Sequence, residues 1–135
     1  MKRYEILPHT ADLKIRVFGR TKKELFLNAL LAMASGFRSK LKTQSAKRKT
    51  IKIKSSDLGG LLVEFLSEIL YLIQVNKEVY TNVKFKKFSD TELEAELTGQ
   101  KVERFGEDIK AVTYHNLDIH QKKDRTWQAT VLFDI

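Results

Sequence analysis

The chain contains no cysteine. A disulfide framework, a thiolate metal site and a cysteine nucleophile are therefore excluded. No apolar stretch of signal-peptide length opens it, and no segment reaches the roughly 18 apolar residues of a membrane span. These absences point to a cytoplasmic protein. Glycine-rich phosphate loops are also missing: neither a Walker pattern nor GxGxxG occurs, and there is no G-x-S-x-G elbow. No nucleophile–base pairing can be named, which speaks against a small hydrolase and for a protein that is not itself an enzyme. Proline occurs once, at Pro8, where it closes the first strand candidate.

Acidic residues are absent from one long window. Between Glu24 and Asp57 there is none, while Arg38, Lys40, Lys42, Lys47, Arg48, Lys49, Lys52 and Lys54 all fall there. The remainder of the chain has 17 basic and 17 acidic residues, so the whole net charge of +8 lives in this stretch. Such a patch attracts a polyanion, and Lys47, Arg48 and Lys49 are candidates for steering RNA, including tRNA, toward the protein. The plainer reading is a solvated basic loop and strand edge, since lysines also blunt sheet edges.

What is present describes a globular domain. At 135 residues the expectation is a single domain, 1–135, large enough to bury one core. "KRYEIL" and "LKIRVFG" are strand candidates, the second ended by Gly19. "TKKELFLNALLAMASGF" turns helical, with Thr21 and Glu24 in a capping-box spacing and Gly36 as its stop. Residues 38–50 read as a polar loop, followed by the strand "TIKIKSS". "SSDLGGLLVEFLSEILYLIQV" is the strongest helix, capped by Ser56 or Asp57. Gly59 and Gly60 weaken its first turn by roughly 1 kcal/mol each relative to alanine, marking close backbone packing or a frayed start. Two hairpins follow: "VYTNVKFKKF" with "ELEAELTGQKV", and "KAVTYHNLDIH" with "RTWQATVLFDI". In the last strand Trp127, Ala129, Val131, Phe133 and Ile135 share one face, and Asp134 lies on the other. The order predicts an α+β fold of strand-helix-strand-strand type, a mainly antiparallel sheet with two helices on one face.

Chemistry is left to the carboxylates. His115 and His120 are five residues apart, on opposite faces of a regular strand, and no histidine spacing forms a helical metal motif. Asp134 lies one residue from the carboxylate of Ile135 at the end of an apolar strand pattern, and Asp12 opens another. Held together, these groups repel unless a cation offsets them, and an all-oxygen set suits Ca2+ or Mg2+ rather than zinc. The alternative is that Asp12 caps a turn and Asp134 is simply exposed.

"HTADLKIRVFG", "DLGGLLVEFLSEILYLI", "IKAVTYHNLDI" and "WQATVLFDI", in that order, resemble the archease family over nearly the whole chain. Archease is the small partner of the RtcB-type RNA ligase that seals tRNA halves after intron removal. It promotes guanylylation of a ligase histidine and repeated turnover, and it is not the ligase. The resemblance implies divalent-metal ligands at Asp12, Asp134 and the carboxylate of Ile135. The ion is expected to be Ca2+ first, with Mg2+ or Mn2+ as alternatives. It further implies a functional lysine at Lys110, in contact with a phosphate or with the partner. His9 and His115 belong to the same motifs without an implied ligand role. "GG" at 59–60 departs from the polar or acidic helix formers expected there. The expected function is activation of an RtcB-type ligase in tRNA splicing. The alternative is an RNA-binding module or a chaperone of an RNA-modifying enzyme such as a tRNA methyltransferase.

Overall fold

The computed structural model describes residues 2–7 and 11–135, with the side chains of 43–45 not described. The elements follow the predicted order: β1 (Tyr4–Leu7), β2 (Asp12–Gly19), α1 (Lys22–Gly36), β3 (Lys40–Lys54), α2 (Leu58–Asn76), β4 (Glu78–Phe88), β5 (Glu92–Arg104), β6 (Ala111–Gln121) and β7 (Trp127–Asp134).

Local chemistry explains the helix starts. Thr21 is extended, and its hydroxyl accepts from the Glu24 N–H at 3.1 Å. Glu24 reaches back to the Arg20 N–H at 3.3 Å, one residue earlier than in the usual capping box. Asp57 caps α2 by accepting from the Gly60 N–H at 2.7 Å. Of the two readings of the glycine pair, close packing holds. A Cβ on Gly59 would stand 3.2 Å from Leu117 and 3.4 Å from Ile119 of β6. Gly36 does end α1, but the left-handed turn falls on Arg38, at φ 47°. Gly36 instead makes room for Leu13 and Ile109, 3.0 and 3.2 Å from where its Cβ would be.

All the strand pairing is antiparallel, and the α+β class holds. The expected single sheet is divided in two, ordered β1-β2-β7-β6 and β3-β5-β4. Each helix meets both sheets: α1 packs on β1, β2 and β7 and also on β4, while α2 packs on β6 and also on β3 and β4. The physical reason is visible in α1. Leu25, Phe26, Ala29, Leu30, Ala32 and Met33 are all buried, so its apolar surface nearly encircles it and one sheet could not cover it. Phe26, Phe65, Phe85 and Phe88 form an aromatic cluster joining α1, α2 and β4, with Phe26 5.3 Å from Phe65 and 5.0 Å from Phe88. Helix α2 has 19 residues and a mean hydropathy of 1.6, long and apolar enough by itself to cross a membrane. Leu61, Leu62, Phe65, Leu66, Ile69 and Ile73 of that helix instead belong to the core.

The loop expected at 38–50 is a correction. Strand β3 already begins at Lys40 and pairs with β5 from Lys40↔Arg104 to Lys54↔Glu92, with register shifts between Lys40 and Ala46. A polar, lysine-rich segment carries little strand signal of its own. Here it is ordered by its neighbour β5, which supplies the ladder.

Candidate functional site

Asp12 is the first residue of β2 and Asp134 the last of β7, and the two are direct register partners. This follows from the apolar alternation. Leu13↔Phe133, Ile15↔Val131 and Val17↔Ala129 place the core residues together, which puts both aspartates on the opposite face. Opposed residues of an antiparallel pair hold their Cβ atoms about 4.5–5.5 Å apart, and like charges there destabilise the pair. Two carboxylates are thus forced together by the packing of the strands that carry them.

Two further features close the row. The Lys110 N–H donates to the Asp134 carbonyl at 2.8 Å, and Ala111 of β6 is the register partner of Asp134. Asp12 and Ile135 line one cavity of about 260 Å3, together with Leu13, Gly36, Arg38 and Glu107. Glu107 is held there because its loop folds over the end of α1: the N–H groups of Gly106 and Glu107 donate to the Phe37 carbonyl at 2.9 and 3.0 Å. A Cβ on Gly106 would lie 2.7 Å from the Arg38 carbonyl, so only glycine permits this approach. Sequence reasoning missed Glu107, and it named Arg38 only as part of the basic stretch, not beside Asp12. The sole local signal was that glycine, since an acid in a polar loop is otherwise unremarkable.

The residues present fit a hard divalent cation. Among the described residues no three His, Cys, Asp or Glu side chains form a group that could hold a metal ion; Asp12 and Asp134 are opposed in register, and Asp12 shares its cavity with Ile135 but not with Asp134. Both aspartates offer oxygen donors of the kind such a cation takes, and like charges opposed across a strand pair repel. His9 lies outside the described residues.

Lys110 joins this site by its main chain. The residue itself lines a separate cavity of about 210 Å3 against α2, with Ser67, Tyr71 and Gln74. Lys47, Arg48 and Lys49 lie on the other sheet, opposite Gly99, Thr98 and Leu97, and do not join the aspartates in one strand row. Further along β3 the basic charge is matched: Lys52 faces Glu94 and Lys54 faces Glu92, while β4 sets Lys84 opposite Glu96 and Lys87 opposite Glu94. The opposed-face expectation for His115 and His120 does not apply, because β6 is irregular between Thr113 and Asp118 and Asn116 has φ 57°. His120 meets Asp118 at 2.7 Å, and Tyr114 donates to Glu64 at 2.7 Å, a bond that raises the Tyr114 phenol above its ordinary value.

The sequence and the fold both have known relatives. Residues 4–135 match the Archease protein family (MTH1598/TM1083). The chain is 37% identical to a protein archease of Methanosarcina barkeri, covering 99% of this chain and 97% of that one. It is 32% identical to one of Pyrococcus furiosus, covering all of both. The solution structure of Methanobacterium thermoautotrophicum protein 1598 superposes with a TM-score of 0.69 at 26% identity, over the full length of both chains. The crystal structure of an archease from Thermotoga maritima, described as a possible chaperone, shares the fold. It has a TM-score of 0.71 at 22% identity, over 96% of this chain and 94% of that one.

Proposed function

This chain belongs to the archease family, and on that premise we propose that it activates an RtcB-type RNA ligase in tRNA splicing. In this reading it promotes guanylylation of the ligase and its repeated turnover through a divalent-metal site on Asp12, Asp134 and the Ile135 carboxylate. The observation that carries it is the register opposition of Asp12 and Asp134 at the ends of β2 and β7. Opposed at the ends of two paired strands, the two aspartates would need little ordering to take a cation. The bond from the Lys110 N–H keeps the last residues of β7 from fraying. A bound Ca2+, Mg2+ or Mn2+ would supply positive charge to offset triphosphate oxygens in the ligase. The chain's own residues bind and orient, and the covalent chemistry belongs to the ligase.

Ligase turnover with and without this protein tests the reading. Asp12→Ala and Asp134→Ala are expected to abolish activation with unchanged circular dichroism, since both lie outside the core. A Gly-Ser extension after Ile135 converts its carboxylate to an amide, and calorimetric affinity for Ca2+ and activation are expected to fall together. The same extension before Met1 is expected to alter neither. Full activation by either aspartate variant, or equal behaviour of the two extensions, overturns the site.

A further inference from the structure

The cavity beside the aspartates does not end there. It shares Ser35 and Arg38 with a larger one of about 550 Å3, which Arg3, Tyr4 and Ser39 also line. That cavity in turn shares Leu41, Val79 and Thr81 with a third of about 210 Å3, which reaches Thr98, the register partner of Arg48. The three form one groove. It runs from the carboxylates, past the end of α1, onto the edge strand that carries the unmatched basic residues.

The groove has the chemistry of a phosphate track. Among the described residues no carboxylate forms an ion pair with Arg3 or Arg38, so both guanidinium groups are available to an anion. The main chain of Arg3 is fixed by the bond from the Phe18 N–H to its carbonyl at 2.9 Å, and that of Arg38 by its left-handed turn under Gly106, while both side chains are exposed. A non-glycine residue held at positive φ is strained, and such strain collects at binding sites. The Ser39 hydroxyl is buried without a partner among the described residues, a donor that calls for an acceptor. Tyr4, Leu31 and Val79 add an apolar wall on which a base can lie. Beyond Arg38, the carboxylates of Asp12 and Glu107 repel any further phosphate.

We propose that this groove is a track for single-stranded RNA, in which Arg3 and Arg38 hold backbone phosphates beside the Asp12–Ile135 cavity and Arg48 takes up the strand along β3. The choice of RNA rests on the ligase reading; the phosphate track rests on the groove. The end of the strand is thereby delivered to the metal-site face of the protein.

The test is fluorescence anisotropy of the full chain with a labelled oligouridylate about ten nucleotides long. It is run in EDTA and without ligase, so that its failure is distinct from failure of ligase activation. Binding is expected to weaken with salt at a slope of about −0.7 per phosphate contact. Arg3→Gln and Arg38→Gln are each expected to lower affinity roughly tenfold and to make that slope shallower by about one contact. Lys84→Gln and Lys87→Gln, each opposite a glutamate on β5, are expected to change nothing. If Arg38→Gln fails to fold, Arg3→Gln decides alone. Absence of RNA binding overturns the proposal, as does an equal loss from the β4 lysine variants, which would show mere bulk charge. Displacement of the strand by an equal concentration of a free nucleoside triphosphate also overturns it, because the groove would then be a mononucleotide site.

Discussion

Tyr80 shows how one buried residue imposes a pH limit. It is fully buried at the start of β4, and its hydroxyl donates to Glu78, itself only 3% exposed, at 2.6 Å. Burial, and then that bond, push the phenol well above its ordinary value of 10.0. The folded state thus holds this proton more tightly than the unfolded chain does. The linked stability is complete below pH 10 and is lost as pH rises beyond it. Wild-type stability, measured by urea unfolding, is therefore expected to fall between pH 10 and 12. Tyr80→Phe is expected to flatten that fall while costing about 1–3 kcal/mol at pH 7, because Glu78 loses a partner in a buried place. An equally steep alkaline decline in the variant would show that the decline comes from elsewhere. The same scale holds the site. Asp12 and Asp134 stood out as acids at strand ends that serve no core, but it was the resemblance to the archease family that made them candidates for one site. Glu107 did not stand out, because it enters through a fold-back of its loop onto Phe37 and Arg38.

Among the elements, α2 was the most legible and β3 the least. The apolar face of α2 is long, and its cap is local: Asp57 and Gly60 are three residues apart and bonded at 2.7 Å. Asp57→Ala is expected to cost about 0.5–2 kcal/mol, read as a lowered thermal midpoint. Asp57→Asn is expected to retain most of it, since the amide oxygen still accepts from the Gly60 N–H. Equal losses from the two would remove the cap as the cause. Strand β3 lacks any such local device. Its basic residues gain order from β5, whose glutamates face Lys52 and Lys54, and that pairing joins segments some forty residues apart.

At the scale of the whole molecule, two sheets share one core through α1 and α2. Phe65 is fully buried beside Phe26 and Phe85, where both helices meet the second sheet. Phe65→Ala is expected to cost about 3–5 kcal/mol and to leave a single calorimetric transition. Two separated transitions would mean that the sheets fold independently. By itself, the sequence determined the element order, the Thr21 cap of α1, the shared face of Ala129, Val131 and Phe133 in β7 and the class α+β, and it left the cap of α2 between Ser56 and Asp57. It determined these because caps, periodicity and hairpin turns act over a few residues. Only the tertiary structure decided that there are two sheets and that β3 starts at Lys40. It also decided that Lys110 lines a cavity apart from the aspartates, and that Arg3 and Arg38 share a groove wall. Each of these depends on contacts between distant segments, and a local pattern records which face of an element is apolar without recording what will cover it.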